Sequence, residues 1–460
     1  MNRAQTTNAG FDRRGFLKAT AAGAIFAAWP RWGLGEEPPE ATAPKRDEGL
    51  RRYIYACCPD GSQSVGNANL EHGIVVLDID AGCSYVRTIP TEVTRRNPGR
   101  GGGGGGAGGF RGICGHTATK RLFYSWPRRG QGVIVGCIDV RTDAVVWEVD
   151  LKASPKTAGH EVGAGQMAVT PDGKKLYVPP EWFGGKATTV LNAEDGGVIA
   201  CLDTGGNGCG NAVMSPDGKR VYVSGNLKGN KRDQGSGPVV IDAENDRILG
   251  HLVGQDGFNT SHWMIDASGE RLFITYFTTI DPGAMAKIVS TADGKVLQEL
   301  RSPTEGPGSL KAMNLLGGPK EGAFWHEGSL APDGKSFWIQ HFGNRGDPHL
   351  AQWDISVEPP RLLRVIETPK KGHTHAHALV TREGDLVLTG NGYALDIESG
   401  KIKHSWKDPD GKWFQSTKFM QVNFRDGQVD WVGQRHGTGW LYHVPALSER
   451  ASEDPKGERP

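Results

Sequence analysis

The stretch Val169–Val178, which reads Val-Thr-Pro-Asp-Gly-Lys-Lys-Leu-Tyr-Val, decides the fold of this chain. Pro fixes φ at the first corner of a turn, Asp hydrogen-bonds its own backbone, and Gly accepts a positive φ. Apolar runs rich in β-branched and aromatic residues flank the turn, so the stretch predicts a β-hairpin. Two close and three degraded copies follow: Met214–Val223 and Leu330–Ile339, then Asp266–Ile274, Thr381–Leu388 and Phe424–Val429. Repetition at roughly 45–60 residues predicts an array of small β-units.

A second hairpin with an Asp, Asn or Gly turn follows each copy, as in Thr188–Ala200. Each unit is therefore expected to hold four antiparallel strands, A to D. Closing such units into a ring covers both faces of each sheet and leaves only short edges. The expected strand A begins at seven places: Gly112, Gln166, Asn211, His262, Glu327, His377 and Met420. The sequence thus predicts an all-β fold, a β-propeller of seven four-stranded blades.

The two ends of the chain are expected to share the closing blade. The first hairpin, Gly73–Cys83, has a preceding strand at Tyr53–Cys57 but no clear strand A. Met420–Phe424 can supply that strand, and Gln428–Val432 adds another. A last strand at Trp440–Val444 keeps eight blades open as an alternative.

The phrase Ser/Thr-Pro-Asp-Gly-Lys-Lys/Arg-hydrophobic-Tyr-Val, followed by a segment such as Val240-Ile-Asp-Ala, resembles the YVTN or YncE-like β-propeller repeat. The resemblance covers residues 51–446 and implies the propeller fold. It implies no single activity, because propellers host binding proteins, lactonases, lyases and redox enzymes.

The N-terminus predicts export. Asp12-Arg-Arg-Gly-Phe-Leu-Lys precedes a short apolar stretch, which is typical of a twin-arginine (Tat) signal peptide, here residues 1–35. About a dozen apolar residues cannot span a hydrocarbon core of about 30 Å, so no stable membrane anchor is expected. The mature protein is expected in the periplasm or another extracytoplasmic space. Residues 36–50 predict a disordered linker and residues 447–460 a loose charged tail.

Composition and short motifs exclude several classes of function. The 53 basic and 52 acidic residues give a net charge of +1 without a basic stripe, so no nucleic-acid partner is expected. No Cys-x-x-Cys-His haem motif, Gly-x-Ser-x-Gly elbow or dinucleotide fingerprint occurs among the residues. The Cys57-Cys58 pair could bind a soft metal, but adjacent strand residues point to opposite faces, which favours simple packing.

Histidines concentrate on the predicted face where D-to-A connections and B-to-C loops meet, at the mouth of the central channel. His262, His326 and His377 stand near the starts of three successive inner strands, and His375 shares a side with His377 if the segment is extended. Converging imidazoles suit copper, zinc or iron. The predicted metal ligands are therefore His262, His326, His375 and His377, with His160, Glu161 and Glu327 as second choices. A pocket for a polar ligand, or ordinary solvated histidines, would account for the same pattern.

Five tryptophans fall in or beside these loops and could wall a pocket: Trp126, Trp182, Trp263, Trp325 and Trp440. Trp182, Trp263 and Trp325 are the predicted aromatic residues of the ligand face. Packing between blades is the simpler explanation for each one. The favoured function is an exported propeller that binds a small molecule or a protein at the channel mouth. The alternative is a metal-dependent oxidoreductase or hydrolase with a histidine-lined site at the same mouth. No catalytic residue, substrate or cofactor can be named.

Overall fold

The computed structural model describes residues 48–59, 72–95, 109–127, 132–180, 185–205, 210–225, 238–252, 259–278, 284–305, 325–341, 349–369 and 377–433. Within these ranges, the side chains at 95, 259–261, 276–278, 325–327 and 341 are not described. The predicted signal peptide, nearly all of the linker, the strand at Trp440–Val444 and the charged tail lie outside the described residues and stay predictions.

The described strands form seven antiparallel sheets, numbered here as blades 1 to 7. In chain order they are β1 (Leu50–Cys58), β2 (Gly73–Asp78) and β3 (Ser84–Ile89) of blade 1; β4 (Gly112–His116), β5 (Arg121–Pro127), β6 (Val133–Asp139) and β7 (Ala144–Asp150) of blade 2; β8 (Ala168–Val169), β9 (Lys175–Val178), β10 (Ala187–Asn192) and β11 (Val198–Asp203) of blade 3; β12 (Ala212–Met214), β13 (Arg220–Ser224), β14 (Pro238–Asp242) and β15 (Arg247–His251) of blade 4; β16 (Asn259–Ile265), β17 (Arg271–Thr278), β18 (Ala284–Ser290) and β19 (Val296–Arg301) of blade 5; β20 (Trp325–Leu330), β21 (Ser336–His341), β22 (His349–Asp354) and β23 (Arg361–Glu367) of blade 6; β24 (Ala378–Val380), β25 (Leu386–Thr389), β26 (Tyr393–Asp396) and β27 (Ile402–Ser405) of blade 7; and β28 (Phe419–Arg425) and β29 (Gln428–Val432), which return to blade 1.

The predicted seven-bladed, all-β propeller is confirmed. The inner strands of neighbouring blades contact one another in order from β28 to β4 and onward to β24. Helical structure among the described residues is limited to α1 (Glu92–Arg95) and the 3-10 turns Leu151–Ala153 and Pro155–Thr157. The described residues form no helix that is both long and apolar enough to cross a membrane.

The Pro-Asp-Gly turns have the predicted chemistry. Gly173 has φ +71°, its N–H donates to the Thr170 carbonyl, and the Asp172 carboxylate accepts from Lys174 N at 3.0 Å. Gly218 and Gly334 repeat the positive φ in blades 4 and 6. Since the same turn links strands A and B in these blades, their inner hairpins share one register.

The ends of the chain share blade 1, as predicted. Strand β1 pairs with β28 from Leu50 opposite Arg425 to Ala56 opposite Phe419. Strand β29 adds a fifth strand beside β28, and its Val432 carbonyl accepts from the Thr117 hydroxyl of blade 2 at 2.8 Å. Two backbone segments more than 350 residues apart in sequence therefore close the ring.

Apolar side chains fill the spaces between adjacent blades. The adjacent residues Cys57 and Cys58 are both fully buried, yet they belong to different core clusters. Cys57 packs with Tyr124 of blade 2, whereas Cys58 packs with residues of blade 7 such as Leu388. This arrangement agrees with packing on opposite faces of β1, the interpretation favoured from the sequence.

A buried ion network joins blade 1 to blade 7 at the face that carries the A-to-B turns. The Arg52 guanidinium donates to Asp80 at 2.9 Å and to Asp385 at 2.7 Å, and lies 3.4 Å from Glu383. Burial lowers the pKa of Arg52, but its hydrogen bonds to Asp385 and Asp80 raise it more, so the group stays charged. Burial raises the pKa of Asp385, but the Arg52 contact outweighs this and holds it below its ordinary value.

We expect Arg52→Met to lower the free energy of unfolding by about 3 kcal/mol at pH 7, because it leaves the buried Asp80 carboxylate without its cation. The contribution of Asp385 is present above its unfolded pKa of about 3.9 and is lost as pH falls through its lower folded pKa. The cost of the variant should therefore shrink as pH falls below about 4. Denaturant unfolding followed by tryptophan fluorescence measures it. The exposed neighbour Arg51→Met is the matched control, and equal losses in both variants would contradict the network's role.

Candidate functional site

Equivalent residues from all seven blades meet at the start of the inner strands. Asn211 and His262 each lie opposite a strand-B residue 13 positions later, Ser224 and Thr275 respectively. The same backbone register defines one position per blade, here called the inner ring: Lys418, Gly112, Gln166, Asn211, His262, Glu327 and His377 for blades 1 to 7. Glu327 is placed by its backbone only.

Hydroxyl groups on strand B hold the inner strands in this register. The Ser224 hydroxyl accepts from Asn211 N at 2.8 Å, and the Thr275 hydroxyl accepts from His262 N at 3.2 Å. The Ser125 hydroxyl donates to the Gly165 carbonyl at 2.8 Å and so ties blade 2 to blade 3. Three ring positions, Gly112, His262 and 327, lie within strands. The other four stand one or two residues before their strands begin: Gln166, Asn211, His377 and Lys418.

Four ring side chains form a continuous polar path across the inner ring. Gln166 Nε2 lies 3.4 Å from His262 Nε2, and Lys418 Nζ lies 3.4 Å from His377 Nε2. The His262 and His377 rings have centroids 6.0 Å apart and meet at 61°. The Lys418 amine can donate to His377 Nε2 across this contact when that ring nitrogen carries no hydrogen.

The ring side chains are shielded from bulk water. Their exposed fractions are 0% for His377, 2% for His262 and Gln166, and 5% for Lys418. Asn211, also 0% exposed, donates to the Trp263 carbonyl of blade 5 at 3.5 Å. Electrostatic interactions are stronger in such a site than in water, because the local dielectric constant is low.

The structure brings together two of the four predicted metal ligands, His262 and His377, although 115 residues separate them in sequence. His375 lies outside the described residues. His326 belongs to β20, but its side chain is not described. Among the residues that the structure does describe, no group of three or more His, Cys, Asp or Glu side chains has a geometry that could hold a metal ion.

The second-choice residues and the aromatic residues occupy other surroundings. His160 Nδ1 lies 2.9 Å from Asp203, and Glu161 pairs with Lys186 at 2.7 Å on the surface. Trp263 is 1% exposed and donates its indole N–H to the Tyr222 carbonyl at 3.0 Å, so it packs between blades 4 and 5. Trp182 lies outside the described residues, and the side chains of Trp325 and Glu327 are not described.

Sequence reasoning missed Lys418 and gave no role to Gln166 or Asn211. The last inner strand was expected to begin at Met420, one residue after the observed start of β28 and two residues after ring position Lys418. In blades 2 to 7 the hairpin spacing reveals the register, but strands β28 and β1 come from opposite ends of the chain. Only their pairing, in which Cys57 N donates to the Lys418 carbonyl at 2.7 Å, identifies Lys418 as the ring residue of blade 1.

Comparisons with known proteins support the fold alone. In sequence, the chain matches no protein-family model and no curated protein. Among solved structures it is similar to two proteins titled "putative 6-phosphogluconolactonase". The one from Bacteroides fragilis has a TM-score of 0.53 and 12% identity and covers 83% of this chain and 100% of its own. The one from Bacteroides uniformis has a TM-score of 0.51 and 13% identity, with coverage of 77% and 95%.

A third similar structure is the periplasmic gluconolactonase of Pseudomonas aeruginosa, with a TM-score of 0.50 and 15% identity over 85% of this chain and 99% of that one. Identities this low establish a shared propeller architecture and carry no residue roles from one chain to the other. Any function must therefore be argued from the inner ring itself.

Proposed function

We propose that this protein binds a small anionic, hydroxyl-bearing molecule at the inner ring, without a chemical step. The observation that carries the proposal is the buried Lys418 ammonium group, 3.4 Å from His377 Nε2. The described ring side chains supply one ammonium, two imidazoles and two carboxamides, all of which can donate a hydrogen bond to an anion. Glu327, the ring residue of blade 6, is placed by its backbone only.

The carboxamides favour a ligand that also carries hydroxyl groups. Gln166 and Asn211 each present both donor and acceptor atoms, which match a hydroxyl that can do both. Backbone hydrogen bonds hold both residues, from Gln166 N to the Gly210 carbonyl and from Ser224 N to the Asn211 carbonyl, so a ligand loses little affinity to the ordering of this part of the ring. Hydroxy acids and sugar acids combine the two chemical features.

A metal-dependent site is a second candidate, favoured by the spacing of the two imidazoles. With metal–nitrogen bonds of about 2.0–2.1 Å, two imidazoles that share one ion have centroids about 5–6.5 Å apart. The 6.0 Å separation of His262 and His377 falls in this range. A metal on His377 Nε2 would, however, have to displace the Lys418 ammonium, which ranks this candidate second.

We also propose that the protein is exported through the twin-arginine route, on the strength of Arg13-Arg14 and the short apolar stretch behind them. The ligand would then be an extracytoplasmic molecule. An inner ring assembled in the cytosol would reach that space intact, since this route carries folded proteins.

Gluconate is a suitable probe of anion binding, because the similar structures are named for sugar-acid lactones. We expect Lys418→Met to weaken gluconate binding at least tenfold, since a hydrogen bond to a charged group contributes about 1.5–3 kcal/mol. Lys403→Met, which removes a charge from the exposed outer strand β27, should change the affinity less than twofold. Isothermal titration calorimetry gives both constants. Equal affinities in the two variants, or failure of gluconate, hexanoate and citrate to bind the native protein, would refute the proposal.

The metal candidate predicts about one equivalent of copper, zinc or iron in the native protein and its loss in a His262→Ala/His377→Ala double variant. Elemental analysis of protein purified without a metal-affinity tag makes the measurement. Equal metal content in the two proteins would discard this candidate. Gluconate binding that survives dialysis against a chelator would support the metal-independent function.

For export, we expect Arg13→Lys/Arg14→Lys to leave the protein in the cytoplasm, because the twin-arginine route requires the arginine pair. Cell fractionation followed by immunoblotting measures the distribution. Arg3→Lys, a matched change outside the pair, should leave export intact. Unchanged export of the double variant would contradict this route.

A further inference from the structure

A buried glutamine stands behind the inner ring in blade 6. In the other blades, the strand-B residue opposite the ring is small, and its hydroxyl, where present, bonds to backbone, as in Ser224 and Thr275. In blade 6 the equivalent residue is Gln340, opposite ring position 327. This side chain is 0% exposed, and it is too long to serve the same backbone role.

Three polar side chains at this place form a directed chain of hydrogen bonds. Gln340 Nε2 donates to Asn391 Oδ1 at 3.2 Å, and Asn391 Nδ2 donates to the Thr368 hydroxyl at 2.8 Å. The Asn391 carbonyl accepts from the Trp413 indole at 3.1 Å, which fixes the loop. Gln340 and Asn391 are fully buried and Thr368 is nearly so, so the Gln340 amide is held in one orientation.

The other end of the Gln340 amide has no hydrogen-bond partner among the described residues. Its Oε1 is buried there without a donor. A buried carbonyl oxygen without a donor is destabilising, and native proteins rarely retain one without a reason. A donor from outside the chain would satisfy it.

The backbone places Gln340 opposite ring position 327, and its side chain reaches Asn391 in the loop next to ring residue His377. Gly390, the neighbour of Asn391, donates its N–H to the carbonyl of ring residue His377 at 2.7 Å. The Gln340 amide thus lies between ring position 327 and the loop that pairs with His377. The Lys418 ammonium, in contact with His377, disfavours a cationic ligand group here, so a neutral hydroxyl is the fitting donor.

We infer that Gln340 is a specificity-determining residue, whose Oε1 accepts a hydrogen bond from a hydroxyl of the ligand that Lys418 holds by its carboxylate. This inference rests on the proposed function and adds to it a selection for hydroxylated over plain carboxylates. Sites built to hydrogen-bond a ligand hydroxyl reject analogues that lack it, because the buried acceptor would otherwise stay unpaired.

Calorimetric titration of gluconate and of hexanoate, a six-carbon carboxylate without hydroxyls, tests the inference. The native protein should bind gluconate more tightly. Gln340→Met should reduce the preference for gluconate by about five- to tenfold, the worth of one hydrogen bond, while hexanoate affinity stays within twofold. Gln421→Met is the control. It removes another buried glutamine, which lies on β28 and donates to Glu383, and it should keep the native preference.

The outcomes separate this inference from the function on which it rests. An unchanged preference in Gln340→Met, with both ligands weakened by Lys418→Met, would overturn the role of Gln340 alone. The result would mean that Gln340 Oε1 accepts its hydrogen bond from an ordered water. Insensitivity of both ligands to Lys418→Met would overturn the proposed function. Should Gln340→Met fail to fold, Gln340→Asn withdraws the oxygen by one methylene and is expected to show the same loss of preference.

Discussion

The pairing of β1 with β28 is the constraint on which the rest of the structure depends. Six blades are hairpin pairs whose strands follow one another along the chain, and each could form its own register. Only blade 1 joins the two ends of the described chain, and it turns a row of sheets into a ring. The Arg52 network fastens the same blade to blade 7 at the opposite edge of the strands. Because the ring closes, residues from different blades share one axis.

That shared axis explains why polar residues can be buried at the centre of an otherwise apolar fold. Each blade contributes one inner residue at the same register position. In blades 4 and 5, a strand-B hydroxyl fixes the backbone of that residue. Two imidazoles, a carboxamide and an ammonium then line up across the ring in van der Waals and hydrogen-bonding contact. Proteins bury such groups at a cost in stability, and they commonly recover it through ligand binding or through specificity.

The sequence predicted the architecture and the positions of two ring residues for one physical reason: turn chemistry is local. Pro-Asp-Gly turns mark where strands A and B meet, so counting back from each turn reaches His262 and His377, whose role as metal ligands stays a prediction. Lys418 escaped this reasoning because no turn joins β28 to β1, and Gln340 escaped it because its role depends on Asn391 of another blade. Trp263 was noted for its position near the mouth, but its indole N–H and ring are engaged between two blades. Contacts between blades carry no signature in the sequence of a single strand.

The most direct measurement is a crystal structure of the protein grown with gluconate. The account predicts electron density for the ligand inside the ring, with a carboxylate oxygen within hydrogen-bonding distance of Lys418 Nζ. Density for gluconate only on the outer surface, with none in contact with Lys418, would contradict it.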